Sequence, residues 1–131
     1  MCIRDSSITN GAGSIVINAV GAGLAWHAVS INTAMAVNNG YIAISPGGAL
    51  TFSLPAVSAV GDALALTVDG ATSFTVTQGA GQSIRLGNAT TTAGVGGSMT
   101  STQQGDALTL VCSVANLKWN VVSSMGNPTL V

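Results

Sequence analysis

Short stripes of alternating apolar and polar residues, each closed by Gly, Asn, Asp or Pro, run along most of this chain. Leu50, Phe52 and Leu54 alternate with Thr51 and Ser53 before Pro55 ends the run. Leu64, Leu66 and Val68 form the next stripe and lead into Asp69-Gly70. Asp-Gly accepts the positive backbone angles of a tight hairpin, so Phe74 and Val76 are expected on its return strand. Ile84 and Leu86 mark another short strand, Leu108, Leu110, Cys112 and Val114 a longer one, and Trp119 and Val121 the strand after that. Period-two alternation at this spacing predicts half-buried antiparallel strands. Gly and β-branched residues interrupt every window, which disfavours helix. The expected class is all-β: an antiparallel β-sandwich or jelly-roll-like module of roughly eight to ten short strands, with little or no helix. Its core is expected from Leu50, Phe52, Leu54, Leu64, Leu66, Val68, Phe74, Val76, Leu108, Leu110, Cys112, Trp119 and Val121.

Internal repetition adds organisation to this pattern. Gly61-Asp62-Ala63-Leu64-Ala65-Leu66 recurs 44 residues later as Gly105-Asp106-Ala107-Leu108-Thr109-Leu110, and each copy leads to an aromatic, Phe74 or Trp119. Leu24-Ala25-Trp26-His27-Ala28-Val29-Ser30 matches Leu117-Lys118-Trp119-Asn120-Val121-Val122-Ser123 at an offset of 93, as Ile15 and Ile17 match Leu108 and Leu110. Tryptophan is rare, so two copies of L-x-W-x-x-V-S favour a tandem arrangement over chance. On this reading residues 7–30 are the tail of a preceding β-module and residues 31–131 a complete, C-terminal one. The opening Met1-Cys2-Ile3-Arg4-Asp5-Ser6 resembles a translated sequencing adapter, ATG-TGT-ATA-AGA-GAC-AG. It is therefore set aside from the fold as a sequencing artefact, and the protein is expected to be an N-terminally truncated fragment.

The order Asn39-Gly40-Tyr41-Ile42, Leu54-Pro55-Ala56, Val60-Gly61-Asp62 resembles a recurrent module of bacteriophage tail fibres and bacterial surface proteins. Gly81-Gln82-Ser83-Ile84, Gly97-Ser98-Met99-Thr100-Ser101-Thr102 and Gly126-Asn127 continue that likeness, which covers most of residues 26–131. The resemblance implies a repetitive β-structural unit on a virion or cell surface. It transfers no receptor-contacting residue.

Charge narrows the choice of function. Only 5% of residues are charged, against about 25% in ordinary soluble domains, and Glu is absent. Apolar residues make up 47% of the chain, enough to build a core, while a net charge of −1 gives little colloidal repulsion. Such a surface suits a chain that sits inside an assembly. Beyond the opening residues only Arg85 and Lys118 are cationic, which is too few for phosphate neutralisation to drive nucleic-acid binding. The most apolar stretch, Ala12 to Val37, is broken by Ser14, Asn18, His27, Ser30 and Asn32, so a membrane span is not expected.

No constellation of residues points to catalysis. His27 is the only histidine, and it lacks the nucleophile or carboxylate that would orient it; no G-x-S-x-G surrounds the nearby Ser30. Asp62, Asp69 and Asp106 are the only acids beyond residue 5; turn formation explains each of them, because Asp side chains accept backbone N–H groups. With Cys2 set aside, Cys112 is a lone thiol, expected to pack as a small hydrophobe. Gly79-Ala80-Gly81 and Gly94-Val95-Gly96-Gly97 lack the Lys-Ser/Thr pair of a phosphate loop. Asn88-Ala89-Thr90 fits a glycosylation triplet, and the run from Thr90 to Gly94 reads as an exposed loop.

No enzyme activity, cofactor or metal site is therefore expected, and the sequence singles out no ligand-binding residue. The leading function is a structural and adhesive module of an extracellular fibre, on a virion or bacterial surface, with a cell-surface glycan or receptor as partner. Homo-oligomerisation as a trimer and contact with neighbouring modules of the same chain are expected with it. The alternative is a tandem β-module of a secreted bacterial surface adhesin; a depolymerase would need clustered acids, which are missing here.

Overall fold

The computed structural model describes residues 23–131. The adapter-like opening with Cys2, the repeat positions Ile15 and Ile17, and most of the expected preceding module lie outside the described residues. Within them the chain is all-β with no helix, as the alternation predicts. Its strands are β1 (Ala25–Val29), β2 (Thr33–Ala34), β3 (Asn39–Ala43), β4 (Ala49–Ser53), β5 (Ala63–Val68) and β6 (Ser73–Thr77). They continue as β7 (Ser83–Leu86), β8 (Ala89–Thr90), β9 (Ser98–Thr100), β10 (Ala107–Val114), β11 (Lys118–Met125) and β12 (Thr129–Leu130).

These strands make two mixed sheets around one core. The seven-stranded sheet runs β1-β3-β5-β10-β11-β7-β8 and the five-stranded sheet β12-β9-β6-β4-β2. From β1 to β6 the chain alternates strictly between them. Two strands of one sheet are then separated by a strand of the other, so the chain re-enters each sheet in its original direction. Parallel pairing follows, since an excursion replaces the hairpin that antiparallel neighbours need. The expected antiparallel arrangement is thus corrected: five of the ten strand pairings are parallel.

Asp69-Gly70 is corrected in the same way. It does turn the chain, with Gly70 at φ 130°, but β5 and β6 lie in different sheets and no hairpin forms. The crossing is held from below instead. Asp69 N–H and Ala71 N–H both donate to Ala43 O, and Thr72 N–H donates to Gly48 O. Ala71 is fully buried and anchors the crossing to the core.

Four strand entries use one device. Ser45, Ala59, Gly79 and Gln103 each accept a hydrogen bond from the N–H three residues on, at 3.1–3.3 Å. The third position of each turn is a glycine at positive φ: Gly47, Gly61, Gly81 and Gly105. A strand begins immediately afterwards, β4, β5, β7 and β10 respectively. A β-turn with positive φ at its third position demands such a residue. The 44-residue repeat contains two of these turns. Its two copies pair as antiparallel neighbours, Leu64 opposite Leu110 and Leu66 opposite Leu108. The aromatics that follow them diverge, Phe74 in one sheet and Trp119 in the other.

The core holds twelve of the thirteen expected residues. Val121 only packs against its margin, because a bulge at Val122 breaks the β10–β11 register and re-aims the strand. Met35, Tyr41, Ala43, Ala71, Ile84 and Met99 complete the cluster. Phe52 joins the two sheets: its ring centroid lies 5.8 Å from that of Tyr41 and 6.4 Å, edge-on, from that of Phe74.

A buried polar cluster closes one end of the core. Gln78, Gln82 and Thr91 are at most 6% exposed. Gln78 Nε2 donates to the carbonyls of Gln82, Thr92 and Gly94, while its Oε1 accepts from Thr91 Oγ1. Gln82 Nε2 donates to Pro55 O and Asn116 O, and its Oε1 accepts from Gly79 N–H. Thr91, expected in an exposed loop, is buried because its hydroxyl takes Ile84 N–H.

Phe52→Ala should destabilise the chain by about 3–5 kcal/mol, the usual loss for truncating a buried aromatic. Val57→Ala, at a position 78% exposed, should change stability by no more than about 0.5 kcal/mol. Urea unfolding followed by circular dichroism measures both. Gln82→Ala leaves three backbone groups without their partner and should cost about 1–3 kcal/mol in the same assay.

Candidate functional site

Asp62, Asp106 and the thiol are bonded into the scaffold. Asp62 Oδ2 accepts Ala59 N–H at 2.8 Å and its Oδ1 accepts Asn38 Nδ2, closing the turn before β5. Asp106, only 3% exposed, accepts Thr102 N–H, Thr102 Oγ1 and Gln103 N–H on a single oxygen, Oδ2. Its other oxygen abuts Gly126: any β-carbon there would overlap Oδ1. Asp69 is exposed at the sheet crossing. Cys112 is buried opposite Trp119, with its thiol donating to Val114 O and lying 3.3 Å from Ser58 Oγ. Among the described residues no three His, Cys, Asp or Glu side chains converge as metal ligands.

His27 lies on the exposed edge strand β1. Its Nε2 is 2.7 Å from Asn39 Oδ1. Asn39 Nδ2 donates to Ala36 O and Val37 O, which fixes the amide and so places the imidazole proton on Nε2. The ring also approaches Tyr41, centroid to centroid at 5.7 Å. Hydrogen bonding to an amide and stacking on an aromatic describe a strand histidine, and no bond joins it to Ser30. Trp26, beside it, lies across Gly40 so closely that a β-carbon there would clash with the indole.

Both glycine-rich segments form turns. Gly79-Ala80-Gly81 is one of the strand entries already described, and Gly97 N–H donates to Gly94 O ahead of β9. Asn88 is exposed in the β7–β8 turn.

A concave site does exist, on the face of the seven-stranded sheet turned away from the core. Ser83, Arg85, Thr90, Ser113, Val114, Lys118 and Asn120 line a cleft of about 300 Å³, with Trp119 at its base. The register explains the grouping: Lys118 pairs with Ser83, Asn120 with Arg85, and Thr90 with Arg85 on the other side. These residues alternate with Ile84 and Trp119, which face inward and are fully buried. Arg85 and Lys118 are the only Arg or Lys among the described residues, and both are here; no acid lines the cleft. Arg85 Nε donates to Gly87 O at 2.8 Å, which leaves the two terminal nitrogens of the guanidinium for another partner. Ser113 Oγ lies 3.4 Å from both Lys118 O and Asn120 Oδ1, and its one proton serves either. The site can hold an anion beside hydroxyl groups; it contains no general base or nucleophile pair.

The chain matches no family model and none of the curated proteins. The cleft has no signature in the sequence beyond the rarity of its two cations. Their convergence depends on the parallel pairing of β7 with β11, which the alternation pattern does not encode.

Asp106→Ala should orphan the N–H groups of Thr102 and Gln103 and cost about 1–3 kcal/mol. Gly126→Ala should also lose stability, because the new methyl must displace the Asp106 carboxylate and Gly126 sits at φ 89°. Thermal unfolding of both variants beside Asp62→Ala, whose carboxylate is less buried, should rank Asp62→Ala as the mildest.

Proposed function

We propose that this chain is a non-enzymatic, structural and adhesive module of an extracellular fibre, built to be repeated in tandem. One observation carries the reading. The two L-x-W-x-x-V-S copies are both strands, and β1 and β11 begin at the same repeat position, Ala25 and Lys118. The residue two before each strand also matches: Gly23 has φ 66° and Asn116, 93 residues later, has φ 65°. Each strand has a parallel neighbour, β3 for β1 and β7 for β11. Sequence likeness that extends to backbone angle and strand start is what duplication of a module leaves behind.

The surroundings of the two strands differ in an informative way. Trp119 is fully buried, whereas Trp26 is 51% exposed. Among the described residues β11 is flanked on both edges, by β10 and β7, while β1 ends its sheet. An unpaired edge carrying a large apolar side chain is a template for another strand. In a fibre of such modules, or in a homotrimer, that edge is covered. The scarcity of charge supports the same setting, since a surface of Ser, Thr, Asn and Gln offers little repulsion between neighbours. Low charge also suits recognition of sugar hydroxyls outside the cell, on a virion or a bacterial surface.

Sequencing the source DNA upstream of codon 7 tests this. Further L-x-W-x-x-V-S modules among virion structural genes are the expected result. Such modules behind a signal peptide and beside secretion genes would assign the chain to a bacterial adhesin instead. An upstream reading frame without any repeat would overturn the tandem module.

A further inference from the structure

We propose that the cleft formed by β10, β11, β7 and β8 binds the acidic group of a saccharide, a carboxylate or a sulfate ester, between Arg85 and Lys118. This names the ligand class for the adhesive reading and rests on it. Across residues 23–131 the chain uses two cations and brings both to one concavity, from positions 33 residues apart. The three described acids are elsewhere, engaged in turns or exposed at the sheet crossing. Among the described residues no ion pair neutralises the cleft, so an anion entering it meets two positive charges.

The geometry suits a sugar. Both cations stand on strands, two positions apart along the same face, so the backbone beneath them is fixed by ladder hydrogen bonds. Sites on such elements hold their groups more accurately than loops do. The Nε–Gly87 bond restrains the guanidinium, which presents a planar fork to a carboxylate or sulfate. Around it the polar lining is hydroxyl and amide, from Ser83, Thr90, Ser113 and Asn120, beside the apolar Val114. A volume of about 300 Å³ is at the small end for organic ligands and accommodates one or two sugar rings. Trp119 offers no stacking platform, because its side chain is in the core. Charge therefore dominates recognition, and binding weakens as salt rises. Two cations are too few to hold a nucleic-acid backbone.

Titration of the full chain by two-dimensional amide NMR tests the site, with oligogalacturonate as the carboxylate probe and a heparin-derived tetrasaccharide as the sulfate probe. Maltotetraose serves as the neutral control. Shifts confined to Ser83, Arg85, Ser113, Lys118 and Asn120 with at least one acidic probe, and absent with maltotetraose, are expected; the stronger probe identifies the acid. Arg85→Gln, at an exposed position, should weaken binding ~10-fold or more, the loss of one charge-assisted bond. Arg85→Gln with Lys118→Gln should abolish it. Absence of shifts with both acidic probes, or undiminished binding by the double variant, overturns the site. A chain that adheres to cells without cleft shifts removes this site and keeps the adhesive reading. Cleft binding by a chain whose upstream gene lacks any repeat does the opposite.

Discussion

A strand whose successor lies in the opposite sheet cannot be closed by a two-residue hairpin. From β1 to β6 every connection obeys that constraint, and much of the molecule follows from it. Crossing segments must span the thickness of the core. The β5–β6 crossing is short and pinned to the segment beneath, with Asp69 and Ala71 held to Ala43 and Thr72 to Gly48. Each return to a sheet then needs an abrupt entry, which the repeated glycine turns provide. Parallel pairing of β1, β3 and β5, and of β2, β4 and β6, is the outcome.

Stacked crossings create a second demand. Carbonyls of neighbouring loops point into the end of the core, where the bonds they accept are buried or part-buried. A chain with few charged residues has few ways to satisfy them. Here two glutamines do so. Gln78 and Gln82 tie the backbones of residues 55, 79, 82, 92, 94 and 116 into one hydrogen-bonded layer. An amide supplies both donor and acceptor without carrying a charge into low dielectric, where an isolated ion would cost far more. The absence of Glu and the burial of Gln are in this sense one choice of chemistry.

Legibility of the sequence divides along the same lines. The inward faces of β4, β5, β6 and β10 were readable, because Leu50/Phe52, Leu64/Leu66, Phe74/Val76 and Leu108/Leu110/Cys112 alternate without interruption. Val121 departs from that pattern only in degree, since a single bulge shifts it to the margin. Sheet membership was not readable. Asp69-Gly70 has the signature of a hairpin, and nothing local distinguishes a turn within one sheet from a turn between two. The buried glutamines were hidden for a related reason: polar residues in a Gly-rich stretch look like surface loop until their long-range partners are known. The cleft depended on Lys118 meeting Ser83 across the sheet, a pairing of distant segments that periodicity cannot reveal.

The unequal burial of the two tryptophans has a practical meaning. Trp119 is fully buried opposite Cys112, and Trp26 lies half exposed on Gly40 at the sheet's edge. Their indoles are thus natural spectroscopic reporters with different colours of emission, blue-shifted from the interior and red-shifted from the rim. Whatever comes to rest on the edge strand dims or shifts one signal while the other keeps watch over the integrity of the fold. The molecule carries its own paired probe of assembly and unfolding, needing no label.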